Sequence, residues 1–152
     1  MSLVVADVAE LEARVGERIV GEWFEIDQHR IDAFAEATLD RQWIHVDPER
    51  AASGPFGSTI AHGYLTLSLL PHLTAGLVEV GGLAMAVNYG LDTVRFLAPV
   101  PAGSRVRAVV EIASVAPSSN GVRLGQSVTV ELEGAERPAL VAGTIALLVP
   151  AA

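Results

Sequence analysis

With 152 residues, 51% of them hydrophobic, the chain is long enough to bury one substantial core and cramped for two. A formal net charge of -8 offers no general attraction to phosphate backbones or anionic membrane surfaces, so neither nucleic acid nor membrane is an expected partner. The absence of cysteine excludes disulfides, thiolate nucleophiles and cysteine-ligated metal sites.

The N-terminal stretch Met1-Ser2-Leu3-Val4-Val5-Ala6-Asp7 lacks the basic start and continuous apolar run of a secretory signal, which predicts a cytoplasmic protein. Residues of about 4 to 15 are expected to form a helix with Ser2 available as its cap. Gly21 to Ile26 has the aromatic and apolar content of a strand. Asp27 then caps a helix carrying Ile31, Phe34 and Ala35 on one side and ending just before Asp40. Asp47-Pro48 is a cap followed by proline at the first helical position, predicting a short turn from Pro48 to Ala52, and Gly54-Pro55-Phe56-Gly57 forces a loop. The longest apolar run, Ile60 to Val78, contains His62, Thr66, Ser68, Pro71, His72 and Thr74, so it is expected to be a buried helix rather than a membrane span.

Beyond it the period changes to alternation, with strands expected at about Ala84–Ala98, Ser104–Ala116, Val122–Glu133 and Ala139–Val149. In the third, Val122, Leu124, Gln126, Val128, Val130 and Leu132 share one face. Turn residues between the later strands suggest that consecutive strands pair antiparallel. No repeat or low-complexity linker interrupts the chain, so residues 1–152 are expected to form a single domain, a helix packed on a long antiparallel sheet.

The chemistry-bearing stretch is Asp40-Arg41-Gln42-Trp43-Ile44-His45, followed eighteen residues after His45 by Gly63 in Ile60-Ala61-His62-Gly63. A carboxylate and an imidazole can both move protons, and a glycine at the start of a helix presents a backbone N–H with little steric cover. That set suits chemistry on an activated carbonyl compound.

These residues give the chain a specific resemblance. It looks like a MaoC-like (R)-specific enoyl-thioester hydratase, whose members carry Asp-x-Asn-Pro-x-His, an Asp-Pro step and an apolar-His-Gly sequence opening the central helix. The correspondence runs from about Ile26 to Val100. Gln42 and Trp43 replace the usual Asn and Pro, a departure that resembles the NodN-like subgroup. The resemblance implies an α+β hot-dog fold, a five-stranded antiparallel sheet wrapped around a central apolar helix. It also implies reversible syn hydration of trans-2-enoyl-CoA to (R)-3-hydroxyacyl-CoA in a homodimer. No cofactor is implied beyond the coenzyme A of the substrate. Asp40 and His45 would exchange protons with water and C2, and the Gly63 N–H would stabilise the thioester enolate. Ser68 and Asn88 would contact substrate, and Leu65, Leu69 and Met85 would border the acyl tunnel.

Blander readings stand beside these. Asp40 can end a helix, His45 can be a packed loop histidine, and Ser68 can return its hydroxyl to an upstream carbonyl. His62 reads as a structural or capping residue, and His45, Asp47 and His62 lack a metal-ligand spacing, so no metal is expected. Two other functions suit the same fold: an acyl-CoA thioesterase in which Asp40 activates water, and a noncatalytic acyl-thioester-binding dimer. The paired Asp40 and His45 weigh against the first, and both together with Gly63 weigh against the second.

Overall fold

The computed structural model of the chain describes residues 1–152. It begins with a strand rather than a helix. Leu3 and Val5 are buried with Val4 exposed between them, and Leu3–Val5 (β1) pairs in parallel with Val78–Val80. Helix α1 covers only Val8–Glu12, and its cap is Asp7, whose carboxylate accepts from the Glu10 N–H at 2.9 Å. The helix expected over residues 4–15 is therefore corrected: Leu-Val-Val suits a strand, and Asp7 rather than Ser2 marks the helix start.

Arg18–Val20 (β2) and Phe24–Ile26 (β3) stand where one strand was expected from Gly21 to Ile26. Both lie antiparallel on the same neighbour, and between them the Gly21 N–H donates to the Ala108 carbonyl at 2.8 Å. A Cβ at Gly21 would stand 3.1 Å from that carbonyl oxygen and 3.2 Å from that of Leu73, so glycine permits the close passage.

Asp27 opens α2, Gln28–Thr38, accepting from the Arg30 N–H at 2.8 Å, with Ile31 and Ala35 buried one turn apart. Leu39 ends it in the left-handed region at φ 65°, which turns the chain sharply just before Asp40. A residue with a Cβ spends about 1–2 kcal/mol to hold that conformation. Trp43–Val46 (α3) is one helical turn that sequence reasoning left as loop, and Pro48–Ala52 (α4) follows under its Asp47 cap as expected.

The single helix expected from Ile60 to Val78 is two short ones, α5 over Gly63–Ser68 and α6 over Leu70–Leu73, and the run ends in a strand, β4, Val78–Val80. Pro71 explains the division: it has no N–H to give to a carbonyl one turn back, and it sits in the first turn of α6, where none is needed.

The long strands are β5 (Leu83–Phe96), β6 (Ser104–Ser118), β7 (Gly121–Leu132) and β8 (Leu140–Pro150). β6, β7 and β8 are successive antiparallel neighbours, but β5 lies against β8 and not against β6. The order is β2-β6-β7-β8-β5, with β3 also on β6, so six strands fill the five positions expected. The link after β5 cannot be a hairpin: Pro99 and Pro101 interrupt it, and it passes the helices, where the Ala61 N–H donates to the Val100 carbonyl at 2.8 Å. The core lies between the sheet and α5 and α6. Val106, Val110 and Ile112 of β6 and Leu124, Val128 and Val130 of β7 meet Leu65, Leu69, Leu70 and Leu73. Burying each such side chain stabilises the fold by about 1.5–3 kcal/mol. This is the expected α+β hot-dog arrangement with a shorter, broken central helix.

Candidate active site

Three segments meet at one end of α5: the turn leaving α2, the single turn of α3, and the strand-like approach to Gly63. Trp43, which replaces proline of the resembled motif, closes α3 onto the loop after α4. Its ring lies 4.3 Å from the Arg50 guanidinium, and a Cβ added at Gly54 would stand 3.1 Å from it. On the other side Arg41 reaches back to Glu36 of α2 at 2.7 Å.

His45 is only 7% exposed, and its Nδ1 lies 2.7 Å from the Ile60 carbonyl oxygen. A carbonyl only accepts, so Nδ1 carries the proton and Nε2 of the neutral ring keeps its lone pair. Burial holds the imidazole below its ordinary 6.5; the Ile60 carbonyl opposes this, nearby His62 adds to the lowering, and Asp40 opposes it again. The ring is therefore a neutral base at neutral pH. Its backbone carbonyl is held at 2.7 Å by Gln28 Nε2, which also donates to Asp32 at 2.9 Å, while the Thr59 hydroxyl donates to Gln28 Oε1. Gln28 thus ties the start of α2 to both α3 and the approach to α5. Sequence reasoning missed it, because nothing in its spacing distinguishes it from a surface glutamine.

His62 is 2% exposed and stacks on His45 with ring centroids 3.8 Å apart and planes at 23°. Its Nε2 donates to the backbone carbonyl of Asp40 at 2.9 Å, and its Nδ1 is buried without a partner. Although it occupies the N-cap position of α5, its side chain caps nothing there. Of the structural and capping readings of His62, the capping one is corrected and the structural one is kept: its ring holds the backbone carbonyl of Asp40. Its place directly before Gly63 was the available signal.

Asp40 is exposed, and its carboxylate receives the Gln42 N–H at 3.4 Å. The carboxylate of Asp40 and ring nitrogens of His45 and His62 fall within 4.8 Å of one another. Asp40 and His45 share no direct hydrogen bond, a separation that suits one bridging water. A metal fits poorly. An ion bound to an imidazole nitrogen at about 2.1 Å lies near the plane of that ring, and two stacked planes this far apart do not share such a point.

Gly63 is the first residue of α5, where the N–H has no acceptor in its own helix and no loop carbonyl takes it up. The space a side chain would need there is filled by the Phe96 ring, 3.0 Å from an ideal Cβ, rather than left open for a ligand. Ser68 and Asn88 are not beside Asp40 and His45. They line a cavity of about 480 Å³ between α5, α6 and strands β5, β7 and β8. Leu65 and Leu69 belong to the core instead, Met85 is exposed, and the aliphatic lining comes from residues such as Leu67, Leu70 and Leu91.

Residues 10–134 match the family described as MaoC like domain. Among related proteins, 3-hydroxyacyl-thioester dehydratase Z of Mycobacterium tuberculosis (strain H37Rv) is 54% identical over 140 residues, covering 91% of this chain and 93% of that protein. Nodulation protein N of Rhizobium leguminosarum bv. viciae is 45% identical over 145 residues, covering 93% and 90%. Among solved structures, a monoamine oxidase regulatory protein from Archaeoglobus superposes with a TM-score of 0.78 at 25% identity, covering 100% of this chain and 99% of that one. An R-hydratase from Pseudomonas aeruginosa does so with a TM-score of 0.77 at 24% identity, covering 95% and 86%, a likeness of fold alone.

Proposed function

Because the chain belongs to the MaoC-like dehydratase family, we propose that it adds water reversibly to trans-2-enoyl-CoA, giving (R)-3-hydroxyacyl-CoA by syn addition. The observation that carries this reading is the pairing of an accessible carboxylate with a buried, neutral imidazole whose Nδ1 is already committed to Ile60. In hydration, His45 Nε2 takes a proton from water as the oxygen bonds to C3, and the C2=C3 electrons move into an enolate. The Gly63 N–H donates to the thioester oxygen while that charge develops, and the proton taken from water passes by way of Asp40 to C2, which leaves the carboxylate and the neutral imidazole as they began. Dehydration runs the cycle backwards. Since α5 is only six residues long, the oxyanion role rests on this single N–H rather than on a helix dipole.

The reaction as written uses no metal or cofactor, coenzyme A entering only as part of the substrate. We also propose a homodimer formed along β5. That strand pairs only with β8 and exposes Met85, Val87, Tyr89 and Leu91, an edge that a second copy would cover. No helix is long and apolar enough to cross a membrane.

The test is incubation of the purified protein with a series of trans-2-enoyl-CoA esters, following enoyl absorbance, free thiol and product configuration. Loss of absorbance with (R) product is expected. Thiol release without hydration would mark a thioesterase, saturable binding without turnover a binding protein, and (S) product would sink the syn mechanism.

A further inference from the structure

His45 stands on α3, a single helical turn, and a turn of that length does not hold itself, because starting a helix fixes several residues for each hydrogen bond gained. Its local bonds run from the His45 N–H to the Gln42 carbonyl at 3.0 Å and from the Asp47 N–H to the Trp43 carbonyl at 3.1 Å. The direction of His45 Nε2, which has to face the water shared with Asp40, is therefore set from outside the turn.

The outside frame is the stretch from Thr59 to Ala61. The Ala102 N–H donates to the Thr59 carbonyl at 2.9 Å and the Ala61 N–H to the Val100 carbonyl at 2.8 Å, which pins the stretch to the link between β5 and β6. It grips α3 in three ways. The Ile60 N–H donates to the Ile44 carbonyl at 3.0 Å, and His45 Nδ1 donates to the Ile60 carbonyl at 2.7 Å. The third tie passes through Gln28: the Thr59 hydroxyl donates to its Oε1, and its Nε2 donates to the His45 carbonyl at 2.7 Å. Ring and backbone of one histidine are thus held from two adjacent residues of one pinned stretch.

Two features mark the third tie as built. Thr59 is 3% exposed, a place where valine has the same shape and no polar atom to bury, so its hydroxyl serves only the bond it makes. The Gln28 amide also fits only one way round, with Oε1 facing a donor and Nε2 facing two acceptors, the His45 carbonyl and the Asp32 carboxylate at 2.9 Å. A flipped amide would set its oxygen against both.

We propose that Gln28 and Thr59 are positioning residues for proton transfer: they fix the His45 backbone so that Nε2 stays aimed at the water shared with Asp40. This rests on the thioester-hydratase reading above. An imidazole displaced by about 1 Å leaves the enoyl ester bound as before but meets the water badly, at a loss of up to roughly 100-fold in the chemical step. The loss then falls on kcat and leaves KM in place.

The experiment measures kcat and KM of Gln28→Leu, Thr59→Val, Thr59→Ser and the double variant Gln28→Leu/Thr59→Val, per folded protein and well below each melting temperature, on a trans-2-enoyl-CoA ester that the wild-type protein hydrates. Gln28→Leu should lose roughly 10- to 100-fold in kcat with KM within about twofold of wild type. Thr59→Val should lose about fivefold. Thr59→Ser keeps the hydroxyl and should keep kcat, even though loss of a buried methyl lowers its melting temperature. The double variant should be no slower than Gln28→Leu, since the hydroxyl acts only through the amide. If Gln28→Leu fails to fold, the two Thr59 variants decide. Wild-type kcat in Gln28→Leu or Thr59→Val, a Thr59→Ser kcat as low as that of Thr59→Val, or losses that multiply in the double variant overturns this inference and leaves the hydratase reading standing. No turnover of any enoyl ester by the wild-type protein overturns the hydratase reading and this inference with it.

Discussion

Around His45, polar groups are committed to one another: Nδ1 to Ile60, the backbone carbonyl to Gln28, the Gln28 amide oxygen to Thr59, and His62 Nε2 to the Asp40 carbonyl. In the cavity under β7 and β8, the side chains of Ser68, Asn88, Gln126 and Thr144 have no partner within the protein. The contrast follows from access to water. Reacting atoms need fixed positions, and these bonds hold them without reorganisation at the moment of reaction; only His62 Nδ1 is buried there without a partner. Water reaches the cavity, so its polar side chains need no partner within the protein.

The sharpest way to break this comparison is at the two proton carriers. Asp40→Asn and His45→Ala are each expected to lower kcat/KM by roughly 100- to 10,000-fold. Their stabilities should differ. Asp40 is exposed, so its variant should melt near the wild-type temperature. Loss of the His45 ring leaves the Ile60 carbonyl without its donor and should cost about 1–3 kcal/mol in denaturant unfolding. Near-normal turnover of both variants is the outcome that removes them from the mechanism.

Next in size is a pair of substitutions at Gly63. Proline is tolerated at a first helical position, and His62 at φ -58° and ψ 136° already has the backbone that a following proline requires. Gly63→Pro therefore removes the N–H with little demand on the backbone, whereas Gly63→Ala keeps the N–H and asks only that Phe96 move by a few tenths of an ångström. If the N–H holds the enolate, the proline variant should lose a further 100- to 1,000-fold in kcat relative to the alanine variant. Equal kinetics would assign Gly63 to packing against Phe96 alone.

The two regions also differ in how far the sequence disclosed them. Asp40, His45 and Gly63 could be proposed from the sequence because they sit in short, spaced motifs, and capping residues such as Asp27 and Asp47 marked the helices around them. Gln28 was not, because its role depends on three segments converging in space. The alternation that located β7 also placed Gln126 among inward residues, but its register with Thr144 is a long-range fact that periodicity does not contain. The same limit explains the sheet order. Hairpin signals joined β6, β7 and β8 correctly, while the partner of β5 depended on a link that crosses the helices. Ile60 to Val78 failed for a local reason, since apolar content outweighed Pro71 in the reading and the proline prevailed in the fold.

The smallest predicted effect probes how the fixed corner is held. His62→Phe keeps an aromatic ring to stack on His45 but deletes the donor to the Asp40 carbonyl, so kcat should fall by about tenfold through misplacement of Asp40. It also has a pH signature. His45 must be neutral to take a proton, so activity falls as pH drops through its pKa, and because burial lowers that pKa the acidic limb of kcat/KM should lie below 6.5. His62 contributes to the lowering after burial does. In His62→Phe the limb should therefore move upward yet stay below the ordinary value, since the ring remains buried. A merely structural histidine would lower yield or melting temperature and leave the limb in place. A shift upward with a tenfold loss in kcat requires that His62 act on both proton carriers at once, through the Asp40 backbone on one side and the His45 ring on the other.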